Sequence, residues 1–227
     1  MEGKGSCDMI FPKVEPQKIY AKIEEYIVDG KFTFDVNELP LLEEFEEIIG
    51  EKTVKVASAH FNTRENHPLF SRRPAQAGKN FMGESEDYDN KLIDYSQEHP
   101  TWKDDSVEWL YLIVFNGRIV KAGMTITDLK SRYRSYSCGT RKAMSKGSCS
   151  TTNYIITECN YAALRQGMSV EIYGLPVPKR KVEVNRFGVT STVNQSQVRD
   201  MEEMLTQVYV DNYGTLPILC VQQGKSL

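Results

Sequence analysis

The sequence has no long apolar run: none of its hydrophobic stretches approaches the ~18 to 20 residues that a membrane-spanning helix needs. Its N-terminal residues also lack the apolar segment, ending in small residues, that is typical of a signal peptide. Hydrophobic residues make up 40% of the 227 residues and charged residues 26%, which is enough to build a core. These features predict a folded, cytoplasmic protein that does not cross a membrane.

Cysteine is scarce and shows no paired pattern. The five cysteines, at positions 7, 138, 149, 159 and 220, form an odd set without a C-x-x-C motif. This argues against a disulfide framework and against an ordinary zinc site, and it predicts reduced thiols. A disulfide or shared metal linking Cys138 and Cys149 is the less favoured alternative, because His and Cys partners at ligand spacing are missing.

A net positive charge is also missing, since the formal net charge is -3 at pH 7. The charges are nevertheless unevenly distributed. Residues 116–147 contain eight Lys and Arg against one acid, whereas residues 15–52 contain eleven acids against four lysines. The basic segment is therefore expected to attract polyanions, the alternative being that both segments are ordinary solvated surface.

The N-terminal half shows helical periodicity in two places. Apolar residues at helical spacing predict helices over residues 15–28 and 41–49, and a short strand over residues 53–61 follows. Residues 62–104 are polar and predict a long loop or arm, with a possible turn of helix near residues 88–95. This segment is either a flexible linker or a phosphate-contacting arm through Arg64, Arg72, Arg73 and Lys79.

The C-terminal half is more regular. Residues 109–115 predict a buried strand, Asn116-Gly117 is a strong hairpin turn, and residues 118–124 predict the paired strand. Capping and periodicity predict the later elements, which are a short helix from residue 127 or 128 to 133, a helix over 153–166, a strand over 169–175 and a helix over 196–213.

This order of elements resembles the catalytic domain of the GIY-YIG nuclease superfamily. That family has a tyrosine on the first strand, a glycine ending the second, an arginine on the following helix and a later glutamate. The matching residues here are Tyr111, Gly123, Arg132 and Glu202. The two hallmark tripeptides are degenerate, because W-L-Y keeps only the tyrosine and K-A-G keeps only the glycine.

The sequence is most similar to the small type II restriction endonucleases of that superfamily, which also have lysine where other members have the second tyrosine. Further shared blocks are R-x-x-x-Y-x-C-G from Arg132, G-S-C-S-T-T-N-Y from Gly147, Phe187-Gly188 ahead of Glu202, and P-x-x-C from Pro217. The similarity covers residues 107–223 and nothing before them.

The resemblance implies an α/β (α+β) fold with a small antiparallel three-stranded sheet flanked by helices. The expected organisation is a helical N-terminal extension over residues 1–61, a loop or arm over 62–105, and a nuclease domain over 106–227. The expected activity is metal-dependent hydrolysis of double-stranded DNA that leaves 5′-phosphate and 3′-hydroxyl ends, in a bacterial or phage-infected cell.

Each chemical task of phosphodiester hydrolysis has a candidate residue in this set. Tyr111 would take a proton from the attacking water, and Lys121 would supply the cation that a phenol, with a pKa near ~10, needs for this task. Arg132 offers a planar fork of donors to the phosphate. Tyr136, one helical turn later, would add a hydrogen bond to the phosphate or orient the water. Glu202 would bind one Mg²⁺ or Mn²⁺ beside the leaving oxygen.

Each assignment has a plainer alternative on residue type alone. A tyrosine in an apolar strand is usually core, a strand lysine is usually surface, and Glu202 stands beside Glu203 on a solvated helix. Glu202 is preferred to Glu203 because its spacing from Phe187-Gly188 and from Pro217 matches the family. The expected DNA contacts are Arg134, Arg141, Lys142, Ser150, Thr151, Thr152 and Asn153.

Residues 150–153 are expected to cap a helix and also to bind a DNA phosphate through its N-terminal N–H groups.

One departure from the family is Met124, where the small restriction enzymes have histidine, so the step served by that histidine is in doubt. Cutting both strands would be simplest for a homodimer. The rival hypotheses are a nicking or DNA-degrading nuclease of a phage or mobile element, and a DNA-binding protein without turnover.

Overall fold

The computed structural model describes residues 22–61, 93–99, 107–137, 139 and 149–220. In chain order the elements are β1 (Ile27–Val28), β2 (Lys31–Phe32), a 3-10 turn (Val36–Glu38), α1 (Leu42–Ile49), β3 (Val54–Phe61), β4 (Ile93–Gln97), β5 (Val107–Phe115), β6 (Arg118–Thr125), α2 (Leu129–Tyr136), α3 (Thr151–Arg165), β7 (Val170–Pro178), β8 (Arg180–Arg186), β9 (Val189–Gln195) and α4 (Val198–Tyr213).

The described residues divide into two compact units, each assembled from separate chain segments. The first unit takes its residues from Met1–Phe34, Phe61–Asp94 and Ser135–Gln166, and the second from Asp35–His60, Tyr95–Arg134 and Gly167–Leu227.

A five-stranded sheet in the order β4-β3-β7-β5-β6 forms the centre of the second unit, apart from a few strand-end residues. β3, β7, β5 and β6 pair antiparallel. The three strands predicted from residues 109–124 and 169–175 are confirmed as the neighbours β6, β5 and β7. Two further strands, β3 and β4, make the sheet larger than the three strands expected.

The hairpin of β5 and β6 forms because a long apolar strand is followed by a dipeptide suited to a tight turn. Asn116 and Gly117 both have positive φ, 46° and 79°, as the favoured two-residue turn requires. The turn and a one-residue bulge at Val120 of β6 together set the register in which Tyr111 lies opposite Gly123. The predicted hairpin is therefore confirmed, and it places the two motif residues side by side.

Helices α1 and α4 cover one face of this sheet. Leu110, Leu112 and Val114 alternate along β5 and enter one apolar cluster with Phe45 of α1 and Tyr209 of α4. The Phe45 and Tyr209 rings meet edge to face, with centroids 5.4 Å apart. The mixed fold of an antiparallel sheet flanked by helices is confirmed, and this packing holds α4 close to β5 and β6.

The first unit contains a small hairpin and a buried helix. β1 pairs antiparallel with β2 through a turn in which Asp29 and Gly30 have φ of 51° and 75°. The helix predicted over residues 15–28 is wrong at Ile27 and Val28, which are strand, because the Asp-Gly turn overrides the helical spacing. α3 is almost wholly buried from Thr152 to Ala163.

Two other predictions for the irregular segments fail. Residues 93–97 are strand β4 and not part of a loop or a turn of helix, because β4 is paired with the distant β3. Residues 180–195 form a hairpin, β8 and β9, where no strands were predicted.

Arg64, Arg72, Arg73 and Lys79 lie outside the described residues, and the three-part division at residues 61 and 105 stays a prediction. Within the described ranges, no helix has the length and apolar character needed to span a bilayer.

Candidate active site

Tyr111 lies directly over Gly123. The two residues are cross-strand partners, and a Cβ atom added to Gly123 would stand 2.5 Å from the Tyr111 hydroxyl oxygen and 2.6 Å from Cζ. These separations are shorter than any real Cβ contact, so the tyrosine can occupy this position only when the facing residue is glycine. This contact is a physical reason for the tyrosine and the glycine of the two motifs to occur together.

Arg132 fixes the other side of the Tyr111 hydroxyl. Its Nε donates a hydrogen bond to Oη at 3.1 Å, and its guanidinium carbon is 5.8 Å from the centre of the tyrosine ring. The arginine reaches this position from the first turn and a half of α2. Asp128 caps the N-terminus of this helix by accepting a hydrogen bond from the Ser131 N–H at 2.8 Å. A cation therefore contacts the phenolic oxygen.

Tyr133 completes the surroundings of Tyr111 and was not anticipated from the sequence. The two rings meet edge to face, with centroids 6.0 Å apart. Tyr133 is fully buried, and this burial raises the pKa of its phenol well above the ordinary value. Tyr133 thus remains a neutral phenol and positions Tyr111. The only sequence signal was an aromatic residue next to Arg132 on a short amphipathic helix.

Lys121 and Glu202 approach this group from β6 and α4. Lys121 faces the same side of the hairpin as Tyr111 and is 7% exposed. Its charge acts on the Glu202 carboxyl, as does that of Arg132. Tyr111 and Arg132 are therefore in contact and Lys121 lies on the same face of the hairpin, whereas Glu202 is linked to Lys121 and Arg132 through the effect of their charges on its carboxyl. The cation in contact with Tyr111 is Arg132, whereas the role expected for Lys121 stays a prediction.

Glu202 differs from its neighbour Glu203 in its surroundings. The Glu202 side chain is partly buried and Glu203 is exposed. Burial raises the pKa of the Glu202 carboxyl, and the charges of Lys121 and Arg132 only partly offset this effect. Of the two adjacent acids, Glu202 is therefore the partly buried one, and the positive charges of Lys121 and Arg132 act on its carboxyl.

Cys220 lies beside the same charges. Its thiol contacts the Ala122 carbonyl at 3.4 Å, and burial raises the pKa of the thiol. Cys220 and Cys159 are buried free thiols, as predicted from the cysteine pattern. Cys138, on which the alternative of a pair with Cys149 depends, lies outside the described residues.

The donor set suits one hard divalent cation. Within the described ranges, no group of three or more His, Cys, Asp or Glu side chains is arranged so that it could hold a metal ion. Glu202 is a single, partly buried carboxylate whose charged form burial disfavours, so a cation would stabilise it. Mg²⁺ keeps most of its water and commonly takes one or two carboxylates together with a substrate phosphate, which fits this residue.

The other predicted site residues belong to the first unit or lie outside the description. Tyr136 is fully buried, and its carbonyl accepts a hydrogen bond from the Thr157 hydroxyl. Ser150 caps α3 as predicted, since its hydroxyl accepts from the Asn153 N–H at 3.1 Å. Thr151 and Asn153 are partly exposed and Thr152 is buried. Arg141, Lys142 and the side chain of Arg134 lie outside the described part of the chain.

Gly139, the last residue of the R-x-x-x-Y-x-C-G block, is also in the first unit. A Cβ atom there would overlap the Thr157 hydroxyl and approach the Asn153 carbonyl oxygen to 2.9 Å. The glycine therefore allows the chain to pass close to the first turns of α3. Phe187-Gly188, taken from the resemblance as a spacing marker, proves to be the turn between β8 and β9.

The solved structures that are similar to this chain include two nuclease chains. One is the restriction endonuclease HPY188I in complex with product DNA, which is 20% identical with a TM-score of 0.43 over 98% of each chain. The other is a mutant of bacteriophage T4 EndoII, 15% identical with a TM-score of 0.41 over 77% of this chain and 96% of that one. No family model and no curated protein matches the sequence.

Replacement of Gly123 by alanine should displace Tyr111. The new Cβ would occupy the space of the hydroxyl, so we expect Gly123→Ala to lower the free energy of unfolding by about 1–3 kcal/mol. The measurement is urea unfolding of Gly123→Ala and of the same change in a Tyr111→Ala background. The penalty should shrink in that background, and an equal penalty in both would contradict the proposed steric conflict.

Replacement of Glu202 by glutamine should stabilise the fold at neutral pH. Because burial raises the pKa of this carboxyl in the folded state, its contribution to stability is present at low pH and is lost as the pH rises through the folded-state pKa. Without metal, Glu202→Gln should therefore melt above the wild type at pH 8. The difference should vanish below the ordinary carboxyl pKa of ~4.3.

The matched control for this measurement is Glu203→Gln, which removes an exposed neighbouring charge of the same kind. Its melting temperature should show a smaller dependence on pH relative to the wild type. A lower melting temperature for Glu202→Gln at pH 8 would show that burial does not destabilise the charged carboxylate.

Proposed function

We propose that this protein is a divalent-metal-dependent endonuclease that hydrolyses double-stranded DNA, with site specificity of the type II restriction kind. The observation that carries the proposal is the Arg132 Nε hydrogen bond to the Tyr111 hydroxyl, held over Gly123. A buried tyrosine that served only the core would not require a glycine beneath its hydroxyl and a guanidinium against it. The motif resemblance adds to this argument independently.

Tyr111 is the proposed general base. As phenolate, its oxygen takes a proton from water while the water oxygen forms a bond to phosphorus, and the bond from phosphorus to the 3′ oxygen breaks. The Arg132 N–H donates a charge-assisted hydrogen bond to that phenolic oxygen, which stabilises negative charge on it. Tyr133 keeps the ring in place but, as a buried neutral phenol, does not compete for the proton.

Arg132 and Lys121 are the proposed phosphate-binding residues. A guanidinium carries further N–H donors in the plane of its Nε, in a fork that matches two phosphate oxygens. Lys121 adds a second positive charge from the neighbouring strand, close enough to act on Glu202. Positive charge placed before the reaction stabilises the charge that develops on phosphate in the transition state.

Glu202 is the proposed ligand of Mg²⁺ or Mn²⁺. A bound divalent cation would neutralise negative charge on the phosphate and on the departing 3′ oxygen. The chain supplies a single, partly buried carboxylate on α4, and the charges of Lys121, Arg132 and Arg199 act on it. Glu203 faces solvent and has no such part.

Double-stranded DNA is the proposed substrate because the motif resemblance is to DNA-cutting enzymes and because the basic segment 116–147 suits a polyanion. Arg134, Arg141, Lys142 and residues 150–153 remain proposed phosphate contacts, and Tyr136 a proposed positioning residue. One site holds one phosphate, so a homodimer would cut both strands. Light scattering of the protein on a short duplex measures that stoichiometry directly.

The proposal predicts metal-dependent cleavage of supercoiled plasmid. Wild-type protein with Mg²⁺ or Mn²⁺ should give discrete linear fragments, and sequencing of their ends should show a common sequence with 5′-phosphates. Tyr111→Phe and Glu202→Gln should lower the single-turnover rate by about 10²- to 10⁴-fold, as loss of a general base or metal ligand does. Glu203→Gln, the matched control, should cut at the wild-type rate.

The other outcomes separate the rival functions. Open circles or a smear that both substitutions abolish would indicate a nicking or degrading enzyme that uses the same site. Intact plasmid with every metal, together with retained DNA binding, would indicate a binding protein without turnover and would refute the proposal.

A further inference from the structure

The hairpin of β8 and β9 has almost no support from the rest of the described structure. Its two strands pair over seven residues each, from Arg180 opposite Gln195 to Arg186 opposite Val189. Every residue of β9 is exposed, and β8 has only Val182 and Val184 partly buried. A two-stranded ribbon on its own is marginally stable, so a function explains an exposed ribbon of this length better than fold stability does.

The contacts that anchor the ribbon to other described residues lie at its base. β8 follows β7 after one residue, and the last residues of β7 pair with the start of β5, Pro178 opposite Val107. After β9, the Ser196 hydroxyl donates to the buried Glu108 carboxylate at 2.8 Å, and α4 begins two residues later. The base is therefore fixed to the same strand and helix that carry Tyr111 and Glu202.

One face of the ribbon is polar throughout. Cross-strand partners share a face, so the pairs that alternate from Lys181 onward lie together. These pairs are Lys181 with Asn194, Glu183 with Thr192, and Asn185 with Thr190. All six side chains are exposed, and each can donate or accept a hydrogen bond.

The opposite face is apolar between two arginines. Val182 pairs with Val193 there, and Arg180 and Arg186 stand at the two ends. Arg180, Lys181 and Arg186 make no ion pair with any residue that the structure describes. From residue 179 to 195 the segment has four basic residues and one acid, so it carries a net positive charge within a chain of net negative charge.

The tip is an exposed aromatic residue in a strained conformation. Phe187 is 99% exposed and has φ of 55°, a region that bulky side chains rarely adopt. Asparagine is the residue that this turn position favours, with glycine after it as here. The sequence thus places a large apolar ring at the end of the ribbon although a small polar residue would suit the turn better.

We propose that the β8–β9 ribbon binds in a groove of double-stranded DNA, with Phe187 leading and the polar face toward the base edges. A two-stranded ribbon fits the major groove, which is ~12 Å wide, and seven residues per strand extend roughly 20 Å. The polar face would supply hydrogen bonds to base edges. Lys181 lies on this polar face, and Arg180 and Arg186, at the two ends of the opposite face, add to the positive charge that a duplex attracts.

This inference rests on the proposed function, because it supplies the sequence recognition that a site-specific endonuclease needs. An interface with a second copy through the valine face is the competing occupant. The charges favour DNA, since two copies of a positively charged ribbon repel each other, whereas a duplex presents a dense negative charge along each groove.

The test uses the full chain and two variants of the ribbon. Phe187→Asn removes the aromatic ring but suits the turn, so the thermal stability should stay unchanged or rise. Asn185→Ala with Thr192→Ala removes two side chains from the polar face. The matched control is Ser191→Ala with Gln195→Ala, which removes two polar side chains from the opposite face.

Fluorescence anisotropy with a labelled 30-base-pair duplex in EDTA measures the affinity, and sequencing of plasmid ends produced with Mg²⁺ measures the base preference. Phe187→Asn should weaken binding about 5-fold or more, equivalent to about 1 kcal/mol, because the ring that leads the ribbon into the groove is lost. The polar-face pair should broaden the end sequences, whereas the control pair should leave both readouts at wild-type values.

The inference is overturned if both variants bind and cut as wild type does, or if the control pair has the same effect as the polar-face pair. It is also overturned if the variants change the mass in light scattering without DNA, which would identify a contact between copies. Ribbon-dependent binding without any cleavage by wild type would instead contradict the proposed nuclease activity and leave the DNA-binding ribbon supported.

Discussion

The structure of the candidate site depends on one close approach, the position of the Tyr111 ring over the backbone of Gly123. Both residues of a cross-strand pair normally carry side chains, and here one side chain must be absent for the phenol to approach its neighbour so closely. The Asn116-Gly117 turn, followed by a one-residue bulge at Val120, sets the register that brings the two residues opposite each other. A slip of one residue would turn Tyr111 to the other face of the sheet.

The second constraint is that the site concentrates charge where the protein is partly closed to water. The positive charges of Lys121 and Arg132 lower the pKa of the Glu202 carboxyl, but the burial of this carboxyl has the larger effect and raises its pKa. A fold optimised for stability alone would not hold an acid in such a place. A partly desolvated carboxylate does suit a group that is to bind a divalent cation, so the arrangement is explicable as function maintained at the expense of stability.

The parts of the fold that were predictable are those fixed by local sequence. The β5–β6 hairpin follows from an apolar strand and an Asn-Gly turn, and the Ser150 cap follows from residue type and position. β4 was missed because its partner β3 is distant in the sequence. The β8–β9 ribbon was missed because its turn is Phe-Gly and both strands are exposed, so neither turn chemistry nor a buried stripe marked it.

For the candidate site, the sequence predicts a set of residues but not the contacts among them. Motif spacing selects Tyr111, Lys121, Arg132 and Glu202. It assigns the cation beside the Tyr111 phenol to Lys121, which lies on the paired strand. Side-chain reach decides such a contact, and the guanidinium of Arg132 on α2 makes it. Tyr133 carries no motif signal at all, because its part is to pack against the ring of Tyr111.

The most direct test of this account is a double-mutant cycle between Tyr111 and Arg132. Single-turnover cleavage rates of Tyr111→Phe, Arg132→Ala and the double variant would be compared with wild type in Mg²⁺. Because the two side chains act as one hydrogen-bonded unit, the double variant should be about as slow as the slower single variant. Fully additive losses would mean that each residue acts without the other, and the central hydrogen bond would then have no part in the reaction.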